Sequence, residues 1–99
     1  MLNSATMQLH FQHYPEHLSL SELATRTPLV IIPGLFGSTS NWRSFAKQLS
    51  AKIPVIVIDP RNHGRSPHAE SHSYADLVQD LVAFCDDRAI PKIQLCGHS

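Results

Sequence analysis

The stretch that decides the fold is Ile93-Gln94-Leu95-Cys96-Gly97-His98-Ser99, at the end of a chain of 99 residues. Its apolar residues predict a short strand, and Gly-His-Ser follows that strand directly. Gly-x-Ser is the first half of the pattern Gly-x-Ser-x-Gly, in which a sharp turn between a strand and a helix exposes a serine hydroxyl. A three-residue match also fits an ordinary loop that contains glycine. Its weight therefore depends on the elements that precede it.

Two earlier apolar runs predict strands that are buried on both faces. They are Leu29–Ile32 and Val55–Ile58, and such continuous β-branched runs are typical of a parallel sheet. A helix is predicted after the first run, with a buried face formed by Trp42, Phe45, Ala46 and Leu49. The residues before that helix, 38–40, offer serine and threonine side chains as its N-terminal cap.

A second helix is predicted to begin at Ser73, with Asp76 completing a weaker form of the capping box. Its apolar face is expected to contain Tyr74, Leu77, Val78, Leu81, Phe84 and Cys85. Its water-facing side is expected to contain Asp76, Gln79, Asp80, Asp86 and Asp87. The order strand, helix, strand, helix, strand predicts the α/β class, with a mostly parallel sheet and helices on both faces.

The first third of the chain gives a weaker pattern. Residues 7–14 alternate between apolar and polar side chains, which predicts a half-buried strand near a sheet edge that ends at Pro15. Farther on, Leu18, Leu20 and Leu23 fit either a short second strand or one turn of helix.

Composition excludes several classes of function. Eight basic residues balance eight acidic ones and are scattered along the chain, which argues against nucleic acid or a membrane surface as the partner. No apolar run is long enough to span a bilayer. Cys85 and Cys96 lie in apolar patterns, so we expect buried free thiols in a reducing compartment, the cytoplasm. Of the seven histidines, His63, His68 and His72 lie in a loop region and could approach one another, but they are interpreted as surface residues and no metal is assigned.

Two loops follow the predicted strands. In Pro33-Gly34-Leu35-Phe36-Gly37, free backbone N–H groups can face an anion, such as the oxyanion of acyl transfer. A plain turn and a dinucleotide site are alternatives, although the loop lacks Gly-x-Gly-x-x-Gly and the Lys-Ser/Thr of a P-loop. In the second loop, residues 59–66, we expect Asp59 and Arg61 to form internal hydrogen bonds and Gly64 to supply a turn; anion binding is the alternative.

Taken in order, Pro-Gly-Leu-Phe-Gly, Asp-x-Arg-x-x-Gly-x-Ser and Gly-His-Ser across residues 29–99 resemble the α/β-hydrolase family. Within that family the motifs look most like the small serine esterases of the bacterial YbfF type. The resemblance implies a serine carboxylesterase or thioesterase that acts on a small acyl ester or thioester without a cofactor. It implies that Ser99 is the nucleophile, that the Leu35 N–H is an oxyanion donor, and that Phe36 shapes the acyl pocket. Pro33 departs from the family, which commonly has His there.

The resemblance also implies that residues 1–99 are the N-terminal portion of a single α/β-hydrolase domain, with no second domain. The catalytic acid and histidine follow the serine in this fold, so both are expected beyond residue 99 and the chain alone is expected to be inactive. The strands at 55–58 and 93–96 are expected to be unpaired edges. A non-catalytic binding protein of the same fold and a Gly-loop nucleotide binder are the alternatives; lactonase, C–C hydrolase and acyltransferase activities remain open, and the oligomeric state is not predicted.

Overall fold

The computed structural model of the chain describes residues 8–33, 42–62, 65–66 and 73–97. These ranges contain four strands and three helices, in the order β1 (Phe11–Tyr14), α1 (Leu20–Ala24), β2 (Leu29–Ile32), α2 (Arg43–Leu49), β3 (Val55–Ile58), α3 (Tyr74–Asp87) and β4 (Gln94–Gly97). The predicted alternation of strands and helices from β2 onwards is confirmed.

The four strands form one sheet in the order β1-β3-β2-β4. Strand β2 pairs in parallel with β3 and with β4, and β1 pairs antiparallel with β3. The mostly parallel sheet is therefore confirmed, as is the position of the first strand at an edge. The prediction that residues 55–58 form an unpaired edge is wrong, because β1 covers that side of β3 with the register Phe11↔Ile58.

The helices cover both faces of the sheet, as predicted. On one face, Ala46 of α2 packs in a cluster with Ile31, Val55 and Val57. On the other face, Leu23 of α1 and Phe84 of α3 pack with alternate residues of the same strands, among them Val30, Ile56 and Ile58. All four residues of β3 are buried, because this strand has a neighbour on each side and a helix layer on each face.

Two capping boxes set where helices begin. Ser73 Oγ accepts the backbone N–H of Asp76, and the Asp76 carboxylate accepts that of Ser73, both at 3.1 Å, which confirms the predicted start of α3. Ser19 and Glu22 form the same motif before α1. The Ser19 hydrogen bonds also lower the pKa of Glu22. Leu20 and Leu23 therefore belong to a helix and not to a strand, and Leu18 precedes that helix.

The apolar faces predicted for α2 and α3 each include a residue that is exposed in the structure. Phe45 is 53% exposed and Val78 is 60% exposed, so the prediction that both are buried is wrong. Val78 lies about 100° around the helix from Leu77, which turns it away from the sheet. Phe45 instead packs edge to face against Trp42, with 5.8 Å between the ring centres.

Arg88, at the end of α3, joins this helix to β1. Its guanidinium lies 4.1 Å from the centre of the Phe84 ring and 4.9 Å from that of Phe11. The two rings also meet edge to face at 5.1 Å. Burial lowers the pKa of Arg88, and the ring faces offer this partly buried cation an electrostatic partner.

The two cysteines are free thiols, but only one is shielded. Cys85 is half-buried, whereas Cys96 is exposed, so the prediction that Cys96 is buried is wrong. The reason is its place on β4, whose four residues are all exposed. Burial is the main cause that raises the pKa of Cys85, and the charge of Asp86 adds to it.

We therefore expect the two thiols of the 99-residue chain to react at different rates at pH 8. A raised pKa leaves less of the Cys85 thiolate, and partial burial hinders the reagent, so Cys96 should be alkylated at least about tenfold faster. Mass spectrometry of peptides after timed exposure to iodoacetamide measures both rates. In Cys96→Ser the fast phase should disappear, and equal rates in the unsubstituted chain would contradict the described burial.

Candidate functional site

The carboxyl ends of the three parallel strands lie at one edge of the sheet. Ile31 is in register with Val57 on one side and with Cys96 on the other, and Ile32 is in register with Gly97. Because β2 is the central strand of the three, the chain leaves it at Pro33 between the exits of β3 and β4. Ligand sites in open α/β sheets lie in the crevice outside these ends.

The structure describes two of the six predicted site residues. Asp59 and Arg61 follow β3 at this edge. The other four lie outside the described residues, and their roles remain predictions: Leu35, Phe36, Gly64 and Ser99.

Asp59 is fully buried and ties the β3 loop to the chain before β1. Its backbone N–H donates to the carbonyl of His10 at 2.9 Å, and its Oδ2 accepts the N–H of Arg65 at 3.0 Å. The Ser66 hydroxyl donates to the Asp59 carbonyl and accepts the His10 N–H, the latter at 2.8 Å. These bonds hold both ends of the loop to the same point of the fold.

Arg61 makes a two-point ion pair with α3. Its Nε lies 2.7 Å from Asp80 Oδ2, and its Nη2 lies 2.8 Å from Asp80 Oδ1. Asp76 adds a longer contact of 3.7 Å. The Arg61 and Asp80 side chains are only 12% and 7% exposed, and the hydrogen bond to Asp80 raises the pKa of Arg61. The pair therefore fastens the loop to the helix that follows it.

Asp80 was not among the residues predicted for this site. It was expected to face water, and that is wrong, because the residue is 6% exposed and bound to Arg61. A signal was present in the sequence. Asp76 and Asp80 are four residues apart on one side of α3, and an arginine lies in the loop before the helix.

A small apolar cavity of about 40 Å³ lies beneath the loop. Its walls come from the ends of two strands, from the loop and from the first turns of α3: Leu9, Ile32, Ile58, Pro60, Leu77, Asp80 and Leu81. Asp80 thus takes part in both the ion pair and the cavity wall.

None of the helices within the described ranges is long and apolar enough to cross a membrane.

Comparison with known proteins gives three informative relatives. The chain is 45% identical over 75 residues to the sn-1-specific diacylglycerol lipase ABHD11 of Danio rerio, covering 74% of this chain and 24% of the lipase. It is 38% identical over 79 residues to ethanol acetyltransferase 1 of Wickerhamomyces anomalus, covering 78% and 20%. Among solved structures, an esterase from a marine microorganism has a TM-score of 0.81 at 37% identity, covering 95% of this chain and 33% of that one.

The chain spans only about a fifth to a third of the length of these relatives. The family model for the alpha/beta hydrolase fold matches residues 27–99, which include β2 to β4 and the helices between them. The sheet of four strands with helices on both faces corresponds to the N-terminal part of that fold. The chain therefore belongs to the alpha/beta hydrolase fold family.

Proposed function

We propose that the protein is a serine hydrolase, a carboxylesterase or thioesterase of the YbfF type, that acts on small acyl esters through an acyl-serine intermediate. The observation that carries the proposal is the position of Gly97. It lies at the carboxyl edge of the sheet beside the end of β2, and Gly-His-Ser continues from it. The relationship to a lipase and an esterase supports the same chemistry.

In the proposed reaction the Ser99 hydroxyl attacks the carbonyl carbon of the ester. A histidine outside residues 1–99 takes the proton, and the Leu35 N–H donates a hydrogen bond to the oxyanion. One such donor is worth about 10²–10³ in kcat. Phe36 contacts the acyl group, the leaving alcohol or thiol takes the proton from the histidine, and water then releases the acid. The mechanism asks for no metal or cofactor.

Acetyl transfer to an alcohol is the second candidate. It is supported by the 38% identity to ethanol acetyltransferase 1 of Wickerhamomyces anomalus. Both reactions share the acyl-serine intermediate and differ in whether water or an alcohol accepts the acyl group. Added ethanol would separate them, because a transferase converts the acyl-serine to an ethyl ester that gas chromatography detects.

A fluorophosphonate probe tests the proposal on the complete polypeptide that carries this sequence. An activated serine reacts with the probe, so we expect one labelled peptide, containing Ser99, and turnover of p-nitrophenyl acetate. Labelling of a different serine would contradict the role of Ser99, and absence of labelling would favour a non-catalytic binding protein. The 99-residue chain alone is expected to show no serine-dependent turnover, because the base and the acid of the triad are proposed to lie outside it.

A cytoplasmic location is also part of the proposal, supported by the two unpaired thiols.

A further inference from the structure

The ion pair between Arg61 and Asp80 joins the β3 loop to α3 through two hydrogen bonds. Two parallel hydrogen bonds of 2.7 and 2.8 Å hold the planar guanidinium against the planar carboxylate. Such fork-like pairs restrict both distance and orientation. Buried pairs of this kind contribute little to stability compared with apolar side chains of similar volume, because the charges lose their hydration. The pair is therefore better suited to holding one arrangement of loop and helix than to stabilising the fold.

The residues around the pair lead to the carboxyl ends of the strands. Asp80 lines the small cavity together with Pro60, next to Arg61, and with Ile32. Ile32 is the last residue of β2 and is in register with Gly97 of β4. A shift of α3 relative to the β3 loop would change the packing around Ile32. The chain continues from Ile32 into residues 33–37. Gly97, the β4 residue in register with Ile32, is two positions before Ser99.

We propose that Arg61 and Asp80 are positioning residues for acyl transfer: their ion pair holds α3 and the β3 loop in the arrangement that places the ends of β2 and β4. This inference rests on the proposed function, since those two ends lead to the proposed oxyanion donor and nucleophile. Acyl transfer is sensitive to such placement, because an error of about 1 Å can lower a rate about 10²-fold. Neither residue touches the substrate in this proposal.

The first test is Arg61→Met in the complete polypeptide, assayed well below its melting temperature. We expect kcat for p-nitrophenyl acetate to fall about 10- to 100-fold, with KM changed less than about threefold. Arg88→Met is the matched control, since it removes a guanidinium at the end of α3, about 12 Å along the helix axis from Asp80. It should lower the melting temperature and leave kcat within about twofold of the unsubstituted protein.

A second variant separates position from stability. Arg61→Met leaves the Asp80 carboxylate buried without its two-point partner, which destabilises the fold. In the double variant Arg61→Met/Asp80→Leu both charges are absent, so the melting temperature should return towards that of the unsubstituted protein. We expect kcat to stay low in this double variant. Recovery of kcat together with the melting temperature would overturn the proposal, as would an unchanged kcat in Arg61→Met.

Amide hydrogen exchange distinguishes failure of this inference from failure of the proposed function. A complete polypeptide that neither reacts with the fluorophosphonate nor hydrolyses the ester would contradict the proposed function. Exchange at 29–32 and 94–97 can be compared between the unsubstituted protein and the double variant in either case. Faster exchange at both segments in the double variant supports the mechanical link from Arg61 to the strand ends, and unchanged exchange overturns it.

Discussion

Replacement of Ser99 by alanine is expected to lower ester hydrolysis by the complete polypeptide by at least about 10⁴-fold, close to 5.4 kcal/mol of transition-state stabilisation. Alanine has no hydroxyl, so no acyl-serine intermediate can form. The activity left would come from substrate binding and oxyanion stabilisation alone. The measurement is kcat/KM on p-nitrophenyl acetate, with circular dichroism and the melting temperature to show that the variant is folded.

Ser50→Ala is the matched control for this substitution. Ser50 follows α2, and its hydroxyl donates to the Lys47 carbonyl at 2.8 Å, so the same atom is removed from a helix end. Its kcat/KM should stay within about twofold of the unsubstituted protein, since surface substitutions rarely change stability by more than about 0.5 kcal/mol. A Ser99→Ala variant that keeps more than about a hundredth of the activity would point to another nucleophile.

The central strands were predictable from sequence because their patterns leave little choice. Leu29–Ile32 and Val55–Ile58 are unbroken apolar runs, each directly preceded by proline, and the structure has both strands with the same bounds. Strand pairing was harder to predict. The partner of β3 on its outer side is β1, more than 40 residues earlier in the chain, and short-range patterns carry no signal for such a contact.

The surroundings of Asp80 show a different limit of sequence reasoning. An aspartate on a helix normally faces water, because a buried carboxylate without a partner is costly. The partner, Arg61, lies in a loop whose path depends on how Asp59, Arg65 and Ser66 fold it back. The buried pair therefore depends on tertiary packing, which the helical period does not encode.

The second large effect concerns the core. Leu23→Ala is expected to destabilise the 99-residue chain by about 2–5 kcal/mol. Leu23 is fully buried, and it is the buried residue of α1, a helix of five residues. A helix this short has little stability of its own, so its attachment to the sheet depends on this side chain. Urea unfolding followed by circular dichroism should show a lower midpoint, with the slope of the transition unchanged.

Leu95→Ala makes the same chemical change at a residue that is largely exposed. Leu95 lies on β4 and is 57% exposed, so its removal should change the free energy of unfolding by less than about 0.5 kcal/mol. Because the amino-acid change is the same in both variants, the comparison tests the difference in burial between Leu23 and Leu95. If Leu95→Ala costs as much as Leu23→Ala in the 99-residue chain, β4 is covered in solution and its described exposure is wrong. If Leu23→Ala costs nothing, α1 is not docked on the sheet. Since native proteins are typically stable by only about 5–15 kcal/mol, a loss of this size is a large fraction of the stability that a folded chain can have.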